Sequence, residues 1–204
     1  QCGSHLTVRM FCMIIMVNSF MHQSSAFGGE LLAANSILFQ IQFIMGDILT
    51  GLSQAGAIYS GIAFGEHDRS MLNDTLRISF IWAIGFGLLQ TVGYYCCRHA
   101  ILGCFTNLHS VIATAQQYDL FIAFFPLISA LGIVYYGVFN GALYTKPICI
   151  SMLLTACCYL TAYFTLIPLY GNIGLWLAFL IFYIARSSFL LFFVSKLQQR
   201  VALA

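Results

Sequence analysis

The stretch GLWLAFLIFYIARSSFLLFF, residues 174–193, contains a single charged side chain, Arg186. About twenty apolar residues in a helix cross the ~30 Å hydrocarbon core of a bilayer with every backbone hydrogen bond made internally. The whole chain has this character, since 61% of its 204 residues are hydrophobic and 7% are charged, whereas soluble domains have about 25% charged residues. We therefore expect a membrane protein, and the net charge of +2 gives no indication of nucleic-acid binding.

Six segments are long and apolar enough to span the lipid bilayer. They are roughly residues 8–27, 32–64, 72–97, 111–144, 147–168 and 173–197. Short polar connections separate them, and Pro147, Pro168 and Gly171 mark the ends of the fifth span. The spacing predicts an all-α fold, a polytopic bundle of six transmembrane helices that forms one transmembrane domain over residues 1–204. Because the chain begins with Gln1 rather than Met, we expect a fragment or a trimmed chain.

The basic residues predict the orientation of the bundle. With six spans, both termini and the second and fourth loops share one side of the membrane. That side carries Arg9, Arg69, Arg77, Lys146, Lys196 and Arg200. The opposite side has only Arg98. Since short loops rich in Lys and Arg stay in the cytoplasm, we expect both termini to be cytoplasmic.

The chain shows no pattern of catalytic or metal-binding residues. Its eight cysteines have no CxxC spacing, and its five histidines belong to no HExxH pattern, so we expect no metal site. No GxSxG, P-loop or dinucleotide-binding fingerprint occurs. The sequence therefore predicts neither an enzyme nor a bound cofactor.

One acid, Asp47, lies inside an otherwise uncharged run from Leu31 to Phe64. Polar or small residues recur every seven positions along its helix, and a step of seven returns to nearly the same side. They are Gln40, Asp47, Gln54 and Gly61, and Thr50 and Gly51 lie beside the acid. The fourth span has a similar stripe, formed by Asp119, Pro126 and Asn140, with Ser129, Tyr136 and Gly137 close to it. Two helices are thus expected to present one polar face each within an apolar background.

A carboxylate at mid-membrane costs about 2.5–3.5 kcal/mol to insert, so it normally faces the bundle interior or a water-filled cavity. In one interpretation, Asp47 lines a transport pathway and binds a cation or a proton. In the other, it only holds helices together, and Arg186, at similar depth, is its candidate partner. Ion binding and pairing are competing hypotheses for the same carboxylate. Asp119, about two turns from the external end of its predicted span, is expected to be hydrated at the interface.

Four segments resemble the C-terminal half of a multidrug and toxic compound extrusion (MATE) transporter of the bacterial DinF-like branch. They are LLAANSILFQ (31–40), GIAFGEHDR (61–69), GVFNGA (137–142) and IPLYGNIGLWLAFLIFYIAR (167–186). The resemblance runs from about Val8 to Lys196. It implies a twelve-helix antiporter of two six-helix lobes in the bacterial inner (cytoplasmic) membrane, coupling drug export to inward movement of protons or sodium ions. This chain corresponds to the second lobe, whose partner is an N-terminal lobe or a second copy of the chain.

The chain departs from the family pattern at three acids. In relatives of this branch an Asp-Gly pair falls at Thr50-Gly51, a Glu at Ala57 and a second Asp-Gly pair at Tyr136-Gly137. The resemblance also assigns the main proton-linked acid to the first lobe and matches Arg186 to the family's arginine in the last helix. The resulting candidates for the transport pathway or ion coupling are Asp47, Gln40, Thr50, Gln54, Tyr136, Asn140, Arg186 and Asp119.

These observations predict the C-terminal half of a cation-coupled (proton or sodium) multidrug antiporter that exports small, often cationic or aromatic compounds. The alternatives are a non-transporting membrane remnant or interaction module, a self-sufficient homodimer, and a relative of lipid-linked oligosaccharide flippases. A flippase would need several basic groups for phosphates, and Arg186 is the one basic residue expected to lie deep in the bundle.

Overall fold

The computed structural model describes residues 2–203, with side chains for residues 3–201, so both ends of the predicted domain 1–204 lie outside the described residues. Within that range the regular structure consists of eight helices: α1 (Cys2–Ala26), α2 (Gly29–Gly65), α3 (Arg69–Phe105), α4 (His109–Gln116), α5 (Asp119–Gly141), α6 (Lys146–Tyr170), α7 (Asn172–Leu191) and α8 (Val194–Leu203). The six predicted membrane spans are confirmed by length and composition. They are Gly3–Ala26, Gly29–Gly65, Arg69–Phe105, Asp119–Gly141, Lys146–Tyr170 and Asn172–Val201.

The fourth predicted span, 111–144, is wrong as a single helix. The chain turns at Gln117 and Tyr118, whose N–H groups donate to carbonyl oxygens only three residues back. A new helix, α5, then begins at Asp119, where the carboxylate in the first turn interacts favourably with the helix dipole. The short α4 therefore lies outside the membrane spans, and Asp119 starts a helix instead of lying two turns inside one.

Glycines let α5 pack closely against α2, as the Gly137-xxx-Gly141 spacing predicts. A side chain added at Gly137 would collide with the backbone of Ser53, and one added at Gly141 would collide with the backbone of Ala57. The sequence has a second pair with the same spacing, Gly61-xxx-Gly65 on α2, but Gly65 faces open space. The close α2–α5 contact brings Tyr136 on α5 beside the polar face of α2.

A serine fixes α7 against α5. The Ser187 hydroxyl accepts a hydrogen bond from the Gly132 N–H at 3.1 Å and donates one to the Ile128 carbonyl at 3.2 Å. These two backbone groups would bond to each other in an uninterrupted helix. Gly132 leaves room for this insertion, because a side chain there would collide with Ser187. The neighbouring Arg186 is thereby held against the middle of α5.

An aromatic core fills the end of the bundle at which α1 ends and α2 and α7 begin. Phe20, Phe39, Trp176 and Phe179 are each at most 1% exposed, and Phe20 lies 4.8 Å from Trp176 between ring centroids. An amide cluster adjoins this core and consists of Ser24, Asn35, Asn172 and Trp176. In it the two asparagines exchange hydrogen bonds at 2.7 and 3.1 Å.

Candidate functional site

A small pocket opens among α1, α2, α5 and α7 and has a volume of about 180 Å³. Five of the predicted pathway residues line it: Asp47, Thr50, Gln54, Tyr136 and Arg186. Four further polar residues that were not predicted as site residues also line it: Arg9, Gln42, Ser53 and Tyr183. We call this site the arginine pocket.

Two arginines from different helices meet at one tyrosine in this pocket. The guanidinium carbon of Arg9 lies 4.1 Å from the centroid of the Tyr136 ring, and that of Arg186 lies 6.0 Å from it. The negative face of an aromatic ring attracts cations at these distances. Arg186 is only 6% exposed, and the Nε atom of Arg9 is buried without a hydrogen-bond partner among residues 3–201. The ring therefore holds two positive charges close together inside a membrane-spanning bundle.

Asp47 lies exposed at the mouth of this pocket. Among residues 3–201, the one ion pair joins Arg98 and Asp119, so the candidate pair of Asp47 and Arg186 is not formed in this structure. Both side chains nevertheless line the same cavity. The Asp47 carboxylate thus lines the cavity without an ion pair to either arginine among residues 3–201.

The remaining polar groups of the arginine pocket are only partly satisfied. The Gln42 amide donates to the Tyr183 hydroxyl at 3.3 Å, but the Gln42 Oε1 atom is buried with no partner in the described part of the chain. Thr50 donates its hydroxyl to the Gly46 carbonyl at 3.0 Å. Eight buried side-chain polar atoms have no partner among the described residues, and two of them, on Arg9 and Gln42, lie at this one cavity. Because buried polar atoms are nearly always hydrogen-bonded, water or a ligand in the cavity is a suitable partner for these two.

Three predicted residues lie away from the pocket. Gln40 is exposed on α2, and Asn140 lies half-buried near the end of α5. The expectation that Asp119 is hydrated is wrong, because this side chain is 1% exposed and pairs with Arg98 at 3.5 Å. Its position in the first turn of α5 places it against α3, which supplies the arginine.

Arg9 is the main site residue to which the sequence analysis gave another role, since it was counted among the basic residues of loops and helix ends that predict orientation. The structure places it inside span Gly3–Ala26 and in the arginine pocket. A signal was present in the sequence, because Arg9 is the one Lys, Arg, Asp or Glu in α1. The same reasoning that singled out Asp47 therefore applies to Arg9.

A second, larger cavity of about 720 Å³ lies between α2 and α3. It is lined mainly by apolar and small side chains, with Asp68 and Asp74 near the α3 start, and it contains none of the predicted pathway residues. In the described part of the chain, no three His, Cys, Asp or Glu side chains come together to hold a metal ion. The arginine pocket is thus the place where the polar residues of four helices converge.

Comparison with known proteins identifies the family. The MatE family model matches residues 6–165. DNA damage-inducible protein F of Escherichia coli (strain K12) is 28% identical over 160 residues, which make up 78% of this chain and 35% of that protein. The predicted DinF-like resemblance is confirmed as a distant similarity.

Solved structures share the fold of the chain. The Vibrio cholerae MATE transporter VcmN in its bent form superposes with a TM-score of 0.87 at 14% identity, covering 98% of this chain and 46% of that one. A MOP superfamily transporter from Pyrococcus furiosus, whose binding pocket has a reversed polarity that suggests a different function for that protein, gives a TM-score of 0.76 at 17% identity, covering 93% and 42%. The chain thus spans less than half the length of these relatives, about half of a twelve-helix transporter. From the match over most of its length, the chain belongs to the MatE family of membrane transporters.

Proposed function

We propose that this chain is the C-terminal lobe of a cation-coupled exporter of small organic compounds in a bacterial inner membrane, with both termini cytoplasmic. The observation that carries the proposal is the arginine pocket, in which buried polar atoms of Arg9 and Gln42, two residues of membrane-spanning helices, have no partner among the described residues. Charged residues inside membrane spans are costly and typically line substrate or ion pathways.

The surface around the pocket supports a role as one half of a cleft. Asp47, Thr50 and Gln54 are exposed on the same side of α2, although they belong to a membrane span. A polar face of this kind is unfavourable against lipid and favourable against water or a second lobe. We therefore assign the N-terminal lobe of a full-length transporter to the space in front of this face.

The two arginines argue against a coupling cation at Asp47. A proton or sodium ion bound there would add positive charge to a pocket that already contains Arg9 and Arg186. We assign the coupling ion to the N-terminal lobe, and we assign Asp47 the role of a counter-ion that lowers the electrostatic cost of the two arginines. This role differs from both interpretations drawn from the sequence, since Asp47 would neither bind a coupling cation nor pair directly with Arg186.

Transport by reconstituted protein tests this proposal. The chain would be placed in proteoliposomes alone and joined to the N-terminal lobe of its full-length form, under an imposed proton or sodium gradient. The dyes would be ethidium (cationic), N-phenyl-1-naphthylamine (neutral) and 1-anilinonaphthalene-8-sulfonate (anionic). We expect gradient-driven movement of at least one dye with both lobes and none with the chain alone. Transport by the chain alone would favour the homodimer, and no transport by either form would favour the remnant.

One observation favours the flippase as a second candidate function. A flippase needs several basic groups for lipid phosphates, and Arg9 now joins Arg186 in the pocket. The same proteoliposomes, carrying a fluorescent polyprenyl phosphate, would test this by the fraction of lipid that a membrane-impermeant quencher reaches. Faster exchange of the labelled lipid than in protein-free vesicles would support the flippase, and equal rates would remove it.

A further inference from the structure

We infer that the arginine pocket binds one anionic group, a phosphate, sulfonate or carboxylate, of an amphipathic substrate whose apolar body stays outside the pocket. The inference rests on the proposed function in that this ligand is taken to be the transported compound. It departs from the expectation, drawn from the sequence, of mainly cationic substrates.

The formal charge of the pocket is the first support. Its lining contains two arginines, Arg9 and Arg186, and one acid, Asp47, so two positive charges less one negative charge leave +1. Arginine does not lose its proton in proteins, so burial cannot neutralise Arg186. A cationic ligand would be repelled by two guanidinium groups and attracted by one carboxylate at the mouth. An anionic ligand would be attracted by the two guanidinium groups and repelled by the one carboxylate.

The geometry of the guanidinium groups is the second support. The Arg9 guanidinium lies over the face of the Tyr136 ring at 4.1 Å, and stacking of this kind leaves the N–H groups at its edge able to donate. One of them, on Nη1, contacts the Met10 sulfur at 3.6 Å, which is a weak acceptor. The buried Nε–H has no acceptor among the described residues. Arg186 donates no hydrogen bond to any described residue. Carboxylates, sulfonates and phosphates are the acceptors that match such free donors.

The size of the pocket limits what enters it. At about 180 Å³ it is smaller than the ~300–1,000 Å³ of typical drug-sized sites, so it takes a headgroup and not a whole molecule. Phe43 lines the pocket and is 43% exposed, which provides an apolar surface at the mouth. An acidic group inside, with an aromatic or acyl body against Phe43, is the arrangement that fits both features.

Removing the charge of Asp47 should increase the affinity of the arginine pocket for an anionic ligand. As an acid at the mouth, it attracts the same arginines that the ligand needs and repels an anionic ligand. Asp47→Asn keeps the size of the side chain and removes its charge. It should therefore tighten the binding of an acidic compound, whereas loss of Asp47 from a cation site would weaken the binding of a cationic one.

The test compares two dyes with the same aromatic body, the sulfonate 1-anilinonaphthalene-8-sulfonate and the neutral N-phenyl-1-naphthylamine, on the full-length protein in nanodiscs. We expect Arg186→Gln and Arg9→Gln each to weaken sulfonate binding by about tenfold or more, since hydrogen bonds to charged groups are worth that much. The neutral dye should change by less than about twofold, which also shows that the variants fold. Asp47→Asn should tighten sulfonate binding by about threefold or more. Arg69→Gln, an exposed arginine outside the pocket, is the matched control.

The outcomes separate this inference from the proposed function. Equal effects of Arg186→Gln on both dyes, or weaker sulfonate binding by Asp47→Asn, would overturn the inference even if dyes are transported. Charge-dependent sulfonate binding without transport of any dye would support the inference and reject the exporter. Competition identifies the source of the anion: displacement by dioctanoyl phosphatidic acid alone indicates a lipid phosphate, and displacement by free naphthalene-sulfonate as well indicates an organic anion. Failure of both to displace the dye would count against the inference.

Discussion

The amide cluster and the arginine pocket are both polar regions inside an apolar bundle, but they differ in how completely their groups are paired. In the amide cluster, Asn35 donates to Ser24 at 2.9 Å and to Asn172 at 2.7 Å, and its Oδ1 accepts from Trp176 at 3.0 Å. In the arginine pocket, by contrast, buried atoms of Arg9 and Gln42 have no partner within the described residues.

The difference separates structural polar groups from functional ones. A buried polar network whose members are all hydrogen-bonded fixes the position of its helices, here α1, α2 and α7. A buried polar group without a partner destabilises the fold, and where it lines a cavity another molecule can complete its hydrogen bonds. Burial and polarity alone do not distinguish the two cases. Asn35 and Arg186 are both buried, at 0% and 6% exposure, and only the first has its hydrogen bonds completed within the chain.

The largest loss of stability is expected where α5 packs against α2 and forms a wall of the arginine pocket. Gly137→Ala would place a methyl group against the backbone of Ser53, and because backbone cannot rotate away, α5 must move from α2. We expect a loss of about 3 kcal/mol in the free energy of unfolding. We also expect loss of sulfonate-dye binding, because Tyr136, which lines the arginine pocket, moves with α5. Detergent-induced unfolding and dye titration measure the two effects. Gly51→Ala is the control, since Gly51 faces open space on α2 and should lose nothing.

The second effect tests the amide cluster. Asn35→Leu keeps the volume of the side chain but leaves Asn172 and Trp176 without their partner. We expect a loss of about 2 kcal/mol in the free energy of unfolding, measured in detergent, with the dye affinity of the arginine pocket unchanged. Gln40→Leu, an exposed amide on the same helix, should change stability by less than about 0.5 kcal/mol. Equal losses for the two variants would contradict a structural role for the cluster.

The six spans could be predicted from the sequence because composition and length determine them almost alone. The break between α4 and α5 could not, because the residues around it, Gln116 to Asp119, include neither Gly nor Pro. A helix end without a glycine or proline depends on tertiary contacts, here the pairing of Asp119 with Arg98. Because the fourth span was predicted to begin at residue 111, Asp119 was expected two turns inside a helix and hydrated at the interface, whereas it begins α5 and is buried.

The site was predicted in part, for reasons of geometry. A seven-residue repeat keeps side chains on one face but moves about 10 Å along the helix, so Gln40 shares a face with Asp47 without sharing its depth. Asn140 lies one turn, about 5–6 Å, beyond Tyr136 for the same reason. Arg9 and Gln42 come to the pocket through packing of α1 and α2 against α5 and α7, which a pattern within one helix does not contain.

Asp119 is intermediate between the two regions, since its carboxylate is paired on one side only. Asp119 has one carboxylate oxygen paired with Arg98 at 3.5 Å, and its Oδ2 atom is buried with no partner in the part of the chain whose side chains are described. Arg98→Gln removes the charge but keeps a donor, so we expect a loss of about 1 kcal/mol in the free energy of unfolding, less than for Asn35→Leu. The same unfolding measurement checks it, with the exposed Arg77→Gln as control. A loss above that of Asn35→Leu would mean that pairing of charges outweighs completeness of hydrogen bonding here.

The smallest change in stability is expected at the residue with the largest functional effect, Arg186. Breaking an ion pair in which both side chains are buried, unlike the partly exposed Arg98 with Asp119, normally costs about 3–5 kcal/mol, because it leaves the partner charge unpaired. Arg186 has no ion-pair partner among residues 3–201, and its nearest aromatic contact, to Tyr136, is long at 6.0 Å. Arg186→Gln should therefore change the free energy of unfolding by less than about 1 kcal/mol, in the stabilising direction, since it removes an uncompensated buried charge. Ligand-free unfolding in detergent, beside the exposed Arg69→Gln, measures this difference. A loss above about 2 kcal/mol would reveal a structural role for Arg186 and place the arginine pocket with the amide cluster.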